Sequence, residues 1–321
     1  MKISVAICTY NGEKYIEEQL DSILNQKVSV DEIVVCDDLS TDKTWEILNN
    51  YKLKYPEIFK IFKNEKTLKS VKNFEKAIKL CTHEIIFLSD QDDYWYPQKT
   101  EIFVSKFKEN PEMLGYCSNG YLMDENSDIM TEYFTKWDVY EKYLEDNPKN
   151  DNFNFLTQKG NFSTGATMAV RADFAKSILP VPILENFHHD EWLTLLATIP
   201  GKMGFISQKL INYRVHSSQQ VGGIAFLKNS DYFSEIYQYF IFNTINDDFK
   251  SIKSRIRAQI DWHNKFLIYY KNNPLQQEQL KKKFFEELKK NKDLLKKKFP
   301  FKSFFINNLD KLLNKRQLKK N

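Results

Sequence analysis

The chain has 321 residues, 42% of them hydrophobic, with nine Gly and nine Pro, which is enough to bury a full core and excludes a disordered or fibrous composition. The net charge of +4 is unevenly spread: residues 281–321 hold fifteen Lys or Arg against four Asp or Glu, +11 in all, which leaves −7 on residues 1–280. No run approaches about 18 apolar residues, and the start Met1 to Cys8 lacks the zones of a signal peptide, so a cytoplasmic protein is expected.

Residues 3–8 form an apolar, β-branched run that ends at Thr9-Tyr10-Asn11-Gly12, the pattern of a strand turning into a helix. Ile16, Leu20, Ile23 and Leu24 then recur on one helical face. A second strand, Glu32 to Cys36, ends in Asp37-Asp38-Leu39-Ser40-Thr41-Asp42, where Ser40 or Thr41 is placed to cap a helix carrying Trp45, Leu48 and Tyr51. A weaker strand at 58–62 and a helix with Val71, Phe74, Ile78 and Leu80 lead to the strand Glu84 to Ser89, and Pro97 suits the first turn of a helix from Gln98 to Phe107. This alternation predicts an α/β fold, a mainly parallel sheet flanked by helices.

Residues 124–160 are polar and aromatic without clear periodicity and read as an inserted loop region on the substrate side. Order returns at Gly165 to Val170, where Gly165 permits a close approach to the backbone or simply makes a turn. A helix starts at Asp190, two short strands are expected in 203–215, and helix from Phe226 onward. Leu280, Phe284 and Leu288 share one helical face, and Phe305, Leu309 and Leu312 another, among crowded lysines, as in a helix lying on an anionic membrane; the alternative is a packed helical appendage. The four cysteines are far apart and form no Cys-x-x-Cys pair, so neither a zinc site nor a redox motif is suggested, and reduced, mostly buried thiols are expected.

Asp37 and Asp38 end a strand, where a carboxylate can accept from the imide N–H of a pyrimidine base or cap the next helix. Neither early strand is followed by Gly-x-Gly-x-x-Gly, which argues against a dinucleotide domain and hydride chemistry. Asp90-x-Asp92 closes another apolar strand with the spacing by which two carboxylates share one Mg²⁺ or Mn²⁺, the rest of its shell being phosphate and water oxygens. Buried acids so placed are costly without a cation. Asp190, beside His189, Glu191 and Trp192, stands in the first turn of a helix, where a lone Asp is commonly a cap.

Ser4 to Gly12, Asp37 to Asp42, Leu88 to Asp93, His189 to Leu193 and Asn212 to Gly222, in this order, resemble the family 2 glycosyltransferases of GT-A fold, and the last two resemble segments of the bacterial rhamnosyltransferase-like members. The resemblance implies a GT-A domain over residues 1–223, with a nucleotide-sugar half (1–122) and an acceptor half (123–223), followed by a basic helical extension over 224–321. It implies that Thr9, Tyr10, Asn11, Asp37 or Asp38, Asp90, Gln91, Arg214 and His216 face the nucleotide sugar. Asp90, Asp92 and His216 would hold the metal, Asp190 would be the catalytic base, and Gly165, His189, Glu191 and Trp192 would face the acceptor. Gln219-Gln220 depart from the commoner pattern. The implied enzyme is a metal-dependent inverting transferase with a nucleoside-diphosphate sugar donor, dTDP-rhamnose in first place and a UDP-hexose or UDP-N-acetylhexosamine in second. Its acceptor would be a glycan or polyprenyl-linked intermediate at the inner face of the plasma membrane, reached through residues 281–321, with no nucleic acid as partner. A sugar nucleotidyltransferase or a non-catalytic sugar-nucleotide module are the rivals. The former requires a Gly-rich basic loop that Thr9 to Lys14 does not supply.

Overall fold

The computed structural model describes residues 1–148, 152–216, 225–227, 233–239, 246–272 and 274–303. The chain divides into two compact units, one of Met1–Phe153 with Asn161–Ser234 and one of Asn154–Gly160 with Glu235–Asn321. The expected boundary at residue 223 therefore differs from the observed division, in which the second unit also takes in residues 154–160.

The first unit opens with β1 (Ile3–Thr9), α1 (Ile16–Leu24), β2 (Glu32–Asp37), α2 (Thr44–Lys54), β3 (Phe59–Lys63), α3 (Lys69–Leu80) and β4 (Ile85–Ser89). There follow β5 (Tyr94–Trp95), α4 (Lys99–Glu109), β6 (Gly115–Met123), β7 (Tyr133–Thr135), α5 (Lys136–Asp146), α6 (Asn152–Lys159), a 3₁₀ turn at Gly165–Thr167, β8 (Met168–Arg171), α7 (Ala172–Ser177), α8 (His189–Thr198), β9 (Met203–Arg214) and β10 (Ala225–Leu227). The eight-stranded sheet runs β3-β2-β1-β4-β8-β6-β9-β5, and β7 pairs with β10 separately. The β3-β2, β2-β1, β1-β4 and β6-β9 pairs are parallel, while β8 runs antiparallel to both its neighbours and β5 antiparallel to β9.

β1, β2 and β4 are buried on both faces, which explains their unbroken apolar runs. Their carboxyl ends, side by side, carry Thr9, Asp37 and the Asp90-Gln91-Asp92-Asp93 turn to one edge of the sheet, where a ligand crevice forms in open α/β sheets.

Three expectations need correction. Residues 124–160 hold β7, α5 and α6 rather than a loop. α5 starts with a capping box, Thr135 with Asp138, and buries Trp137, Val139, Tyr140 and Tyr143. Residues 203–214 form one twelve-residue strand, not two, because its exposed stretch Ser207-Gln208 stays within the β6–β9 ladder across a register shift. Phe226 lies in a strand, β10.

In the second unit, residues 154–160 join helices α9 (Phe249–Asn272) and α10 (Pro274–Lys298). The Leu280 and Phe284 face expected to meet membrane is spent here: both side chains are buried, and Phe284 stacks with Trp262 and Phe266 of α9. Phe305, Leu309 and Leu312 lie outside the described residues. Glu287, also buried, takes a hydrogen bond from Asn154 and is paired with Lys283. Among the described residues no helix is long and apolar enough to cross a membrane.

Candidate active site

At the carboxyl edge of β1, β2 and β4 lies a cavity of about 820 Å³, lined by Thr9, Tyr10, Asn11, Asp38, Lys69, Asp90, Gln91, Asp92, Tyr213 and His216 among others. Its walls are loops braced against one another. The Tyr10 amide donates to Gln91 Oε1 (2.9 Å) and Gln91 Nε2 donates to the Tyr10 carbonyl (3.1 Å), locking the acidic turn to the β1–α1 loop. The Asn11 amide donates to Ser40 Oγ (3.0 Å), and Asn11 Oδ1 accepts from the Thr41 amide (2.9 Å). Asn11, Leu39 and Lys69 all carry positive φ (49°, 66° and 59°), a conformation that costs each on the order of 1–3 kcal/mol and is held by these braces.

The two acids of β2 differ in task. Asp37 is fully buried and takes hydrogen bonds from Thr9 Oγ1 (2.9 Å) and from the amide and hydroxyl of Ser40, so it shapes the loop and fixes the Thr9 hydroxyl. Asp38 lines the cavity, and its carboxylate takes the amides of Leu68 (2.7 Å) and Lys69 (2.9 Å) at the start of α3 together with Asn64 Nδ2 (2.7 Å). Tyr10 leaves half its surface at the cavity mouth.

Asp90 and Asp92 both face the cavity. Burial, then the charges of Asp92 and Asp190, push the Asp90 carboxyl up to about 7, against a weaker lowering pull from Lys99. Crowded carboxylates with hard oxygen donors are the setting a divalent cation relieves. His216 Nε2 lies 2.9 Å from Asp92 Oδ2, and its ring packs at 5.2 Å on Tyr15. The expected three-donor set of Asp90, Asp92 and His216 is not assembled as such: among the described residues no group of three or more His, Cys, Asp or Glu is arranged to hold a metal ion. Asp93 turns inward, fully buried, with Oδ1 accepting from the Arg214 amide (3.0 Å) and Oδ2 without a hydrogen-bond partner.

Asp190 stands in the first turn of α8, near enough to Asp90 for the two charges to interact. The Gly165 amide donates to its Oδ2 (3.1 Å) and the Glu191 amide to its Oδ1 (2.8 Å), so the carboxylate is oriented from two sides. His189 is stacked on Phe74 at 3.9 Å and buried, which pushes its imidazole down to about 4 and leaves it neutral at pH 7. Lys136, at the start of α5, is pulled down to about 8 by burial, against the raising charges of Glu191 and Asp190. Its place near Asp190 and Glu191 was not legible in the sequence, because the helix that carries it was not.

Two expected roles are not supported by the geometry. Trp192 is fully buried, with Nε1 donating to the Ile178 carbonyl (2.9 Å), so it presents no face to a sugar. Arg214 is also fully buried. Its guanidinium donates to the carbonyls of Asp92 (2.7 Å) and Asp124 (3.0 Å), to Ser127 Oγ (2.9 Å) and to Glu18, over the Tyr15 ring at 4.3 Å. Arg214 thus holds the acidic turn and the 124–127 loop in place. Gln219 and Gln220 lie outside the described residues.

Residues 4–179 match the sequence model of the family described as Glycosyl transferase family 2. The dTDP-rhamnosyl transferase RfbG of Shigella flexneri is 44% identical over 97 residues, 29% of this chain and 34% of that protein, so the match spans about a third of the relative's length. An uncharacterized glycosyltransferase of Nostoc sp. is 26% identical over 223 residues, 68% of this chain and 66% of the relative. The fold is similar to S. aureus TarS solved with UDP-GlcNAc, at 18% identity and a TM-score of 0.55, covering 92% of this chain and 84% of that one. It is similar also to the mannosyltransferase PcManGT of Pyrobaculum calidifontis solved with GDP-Man and Mn²⁺, at 13% identity and a TM-score of 0.51, covering 90% of this chain and 86% of that one. At these identities the structural likeness is one of GT-A fold.

Proposed function

The chain belongs to glycosyl transferase family 2, and from that premise we propose that it is a cation-dependent inverting transferase whose donor, a nucleoside-diphosphate sugar, occupies the cavity between Asp38 and Asp92. The observation that carries the proposal is the placing of Asp90 and Asp92 on the cavity wall with Asp190 near enough for its charge to act on Asp90, whose carboxyl is pushed up to about 7 by burial and then by the charges of Asp92 and Asp190.

The nucleoside lies toward Tyr10, Asn11, Asp38 and Lys69, with the exposed Tyr10 ring available for stacking on the base. The diphosphate lies toward Asp90 and Asp92, the two carboxylates that would hold Mg²⁺ or Mn²⁺, which when bound would stabilise the charge of the departing diphosphate. His216 orients Asp92 through the Nε2 contact. Asp190, oriented by the Gly165 and Glu191 amides, accepts the proton of the acceptor hydroxyl as that oxygen attacks the anomeric carbon and the nucleoside diphosphate leaves from the opposite face, inverting the centre. Gly165, His189 and Glu191 stand on the acceptor side, with His189 acting from beneath the surface.

We assign dTDP-rhamnose as the first donor to test, supported by the 44% identity to a dTDP-rhamnosyl transferase over 97 residues. UDP-hexoses and UDP-N-acetylhexosamines are the alternative donors, and the acceptor is a glycan or lipid-linked glycan. The lysines of α10 and the exposed Phe285 and Phe301 suit contact with an anionic membrane at the inner leaflet. D190N decides between a transferase and a binding module. A transferase loses about 10²- to 10⁴-fold in turnover while nucleotide binding is kept; unchanged turnover in D190N refutes the assignment of the base.

A further inference from the structure

Lys99 is the first residue of α4, and its side chain is entirely out of solvent. A buried ammonium is expensive, and burial pulls it down to about 7 against the raising charges of Asp93 and Asp90. What holds it there is specific. Nζ donates to the Ala166 carbonyl at 2.7 Å and sits 3.9 Å from the centre of the Trp95 ring.

The Ala166 contact ties the start of α4 to the 3₁₀ turn Gly165–Thr167, whose first amide holds Asp190 Oδ2. We infer that Lys99 is a positioning residue: it fixes the Gly165–Thr167 turn through the Ala166 carbonyl and thereby sets the Asp190 carboxylate, which the Gly165 amide holds. The inference rests on the proposed transferase reading, in which Asp190 is the base. Lys99 reaches neither cavity nor substrate, so its effect on the reaction passes through the turn.

The test measures release of nucleoside diphosphate from dTDP-rhamnose and from UDP-N-acetylglucosamine with Mn²⁺, water serving as acceptor. The proteins compared are the wild type, K99M, D190N and the K99M/D190N double variant. K99M keeps the packing on Trp95 but has neither charge nor donor. Its kcat should fall about 10²-fold, the loss expected of a base displaced by about 1 Å, with KM for the donor unchanged. In the D190N background K99M should cost nothing further, because the two residues act as one unit. K99Q, too short to reach Ala166, carries the same expectations where K99M does not fold. Wild-type kcat in K99M, a loss confined to KM, or an additive loss on D190N would each overturn the inference, as would failure of both variants to fold. A wild type that releases no diphosphate from either donor overturns the transferase reading for both donors, and this inference with it.

Discussion

Gly165→Ala probes the proposed base, Asp190, without replacing it. A Cβ at residue 165 would stand 3.0 Å from His189 Nε2, 3.8 Å from His189 Cε1 and 3.9 Å from Asp190 Cβ. The first distance is a few tenths of an ångström inside ordinary contact. The imidazole has no retreat, being stacked at 3.9 Å and 17° on Phe74, itself buried on α3. The displacement therefore passes to the start of α8 and lengthens the 3.1 Å bond between the Gly165 amide and Asp190. Overpacking of this kind costs about 1–3 kcal/mol of stability, and misplacing the base by a fraction of an ångström to 1 Å costs about 10- to 10²-fold in turnover. Urea unfolding measures the first, and steady-state release of nucleoside diphosphate the second. Since φ at Gly165 is not in the left-handed region, the strain is in packing alone. A G165A protein with wild-type stability and wild-type kcat would refute the claim that this turn holds the base.

Two further outcomes follow from charge. Because burial and the Asp92 and Asp190 charges raise the Asp90 carboxyl to about 7, its protonated form stabilises the folded protein at low pH, and that contribution is lost as pH rises through about 7. A cation competing with that proton should raise Tm more at about pH 8 than at about pH 6, and equal increments in a thermal-shift assay at the two values would count against cation binding at Asp90. Glu32 is the opposite case. Burial pushes its carboxyl up, but hydrogen bonds from Lys60, Ser4 and Thr82 prevail and hold it down to about 2. E32Q should lose about 1–3 kcal/mol at neutral pH. The difference from wild type in urea unfolding should shrink as pH falls toward about 2, where the native carboxylate takes up its proton; a pH-independent difference would contradict this.

The parallel half of the fold was legible because β1, β2 and β4 are buried on both faces, and a doubly buried strand writes itself as an apolar run. Their ends carry Asp37, Asp38, Asp90 and Asp92, so the acidic edge of the sheet could be read with them. α5 escaped because its inward face is Trp137, Tyr140 and Tyr143, aromatic but polar-tipped, and only the Thr135-x-x-Asp138 cap marked its start. The single strand β9 was split by Ser207 and Gln208, which are exposed, a local polarity that the pairing with β6 overrides. The roles of individual side chains were the least legible. A Trp beside a candidate base suggests stacking, yet Trp192 is spent on the core and the Ile178 carbonyl. An Arg before a candidate diphosphate contact suggests phosphate, yet Arg214 binds carbonyls 90 and 122 residues away in sequence. Lys99 reads as an ordinary helix lysine until the fold brings Ala166 to it across 67 residues. Such partners are fixed by tertiary contact, to which local pattern is blind.

In the proposed reaction, carboxylates at the cavity edge bind a sugar donor's diphosphate through a divalent cation. Isothermal titration of dTDP and UDP into the wild-type protein and into D92N, each with and without Mn²⁺, examines that binding alone. The wild type should bind only with Mn²⁺, and D92N at least about tenfold more weakly, 1.4 kcal/mol or more. Binding that is indifferent both to the cation and to the loss of Asp92, or no binding of either nucleotide, would contradict this.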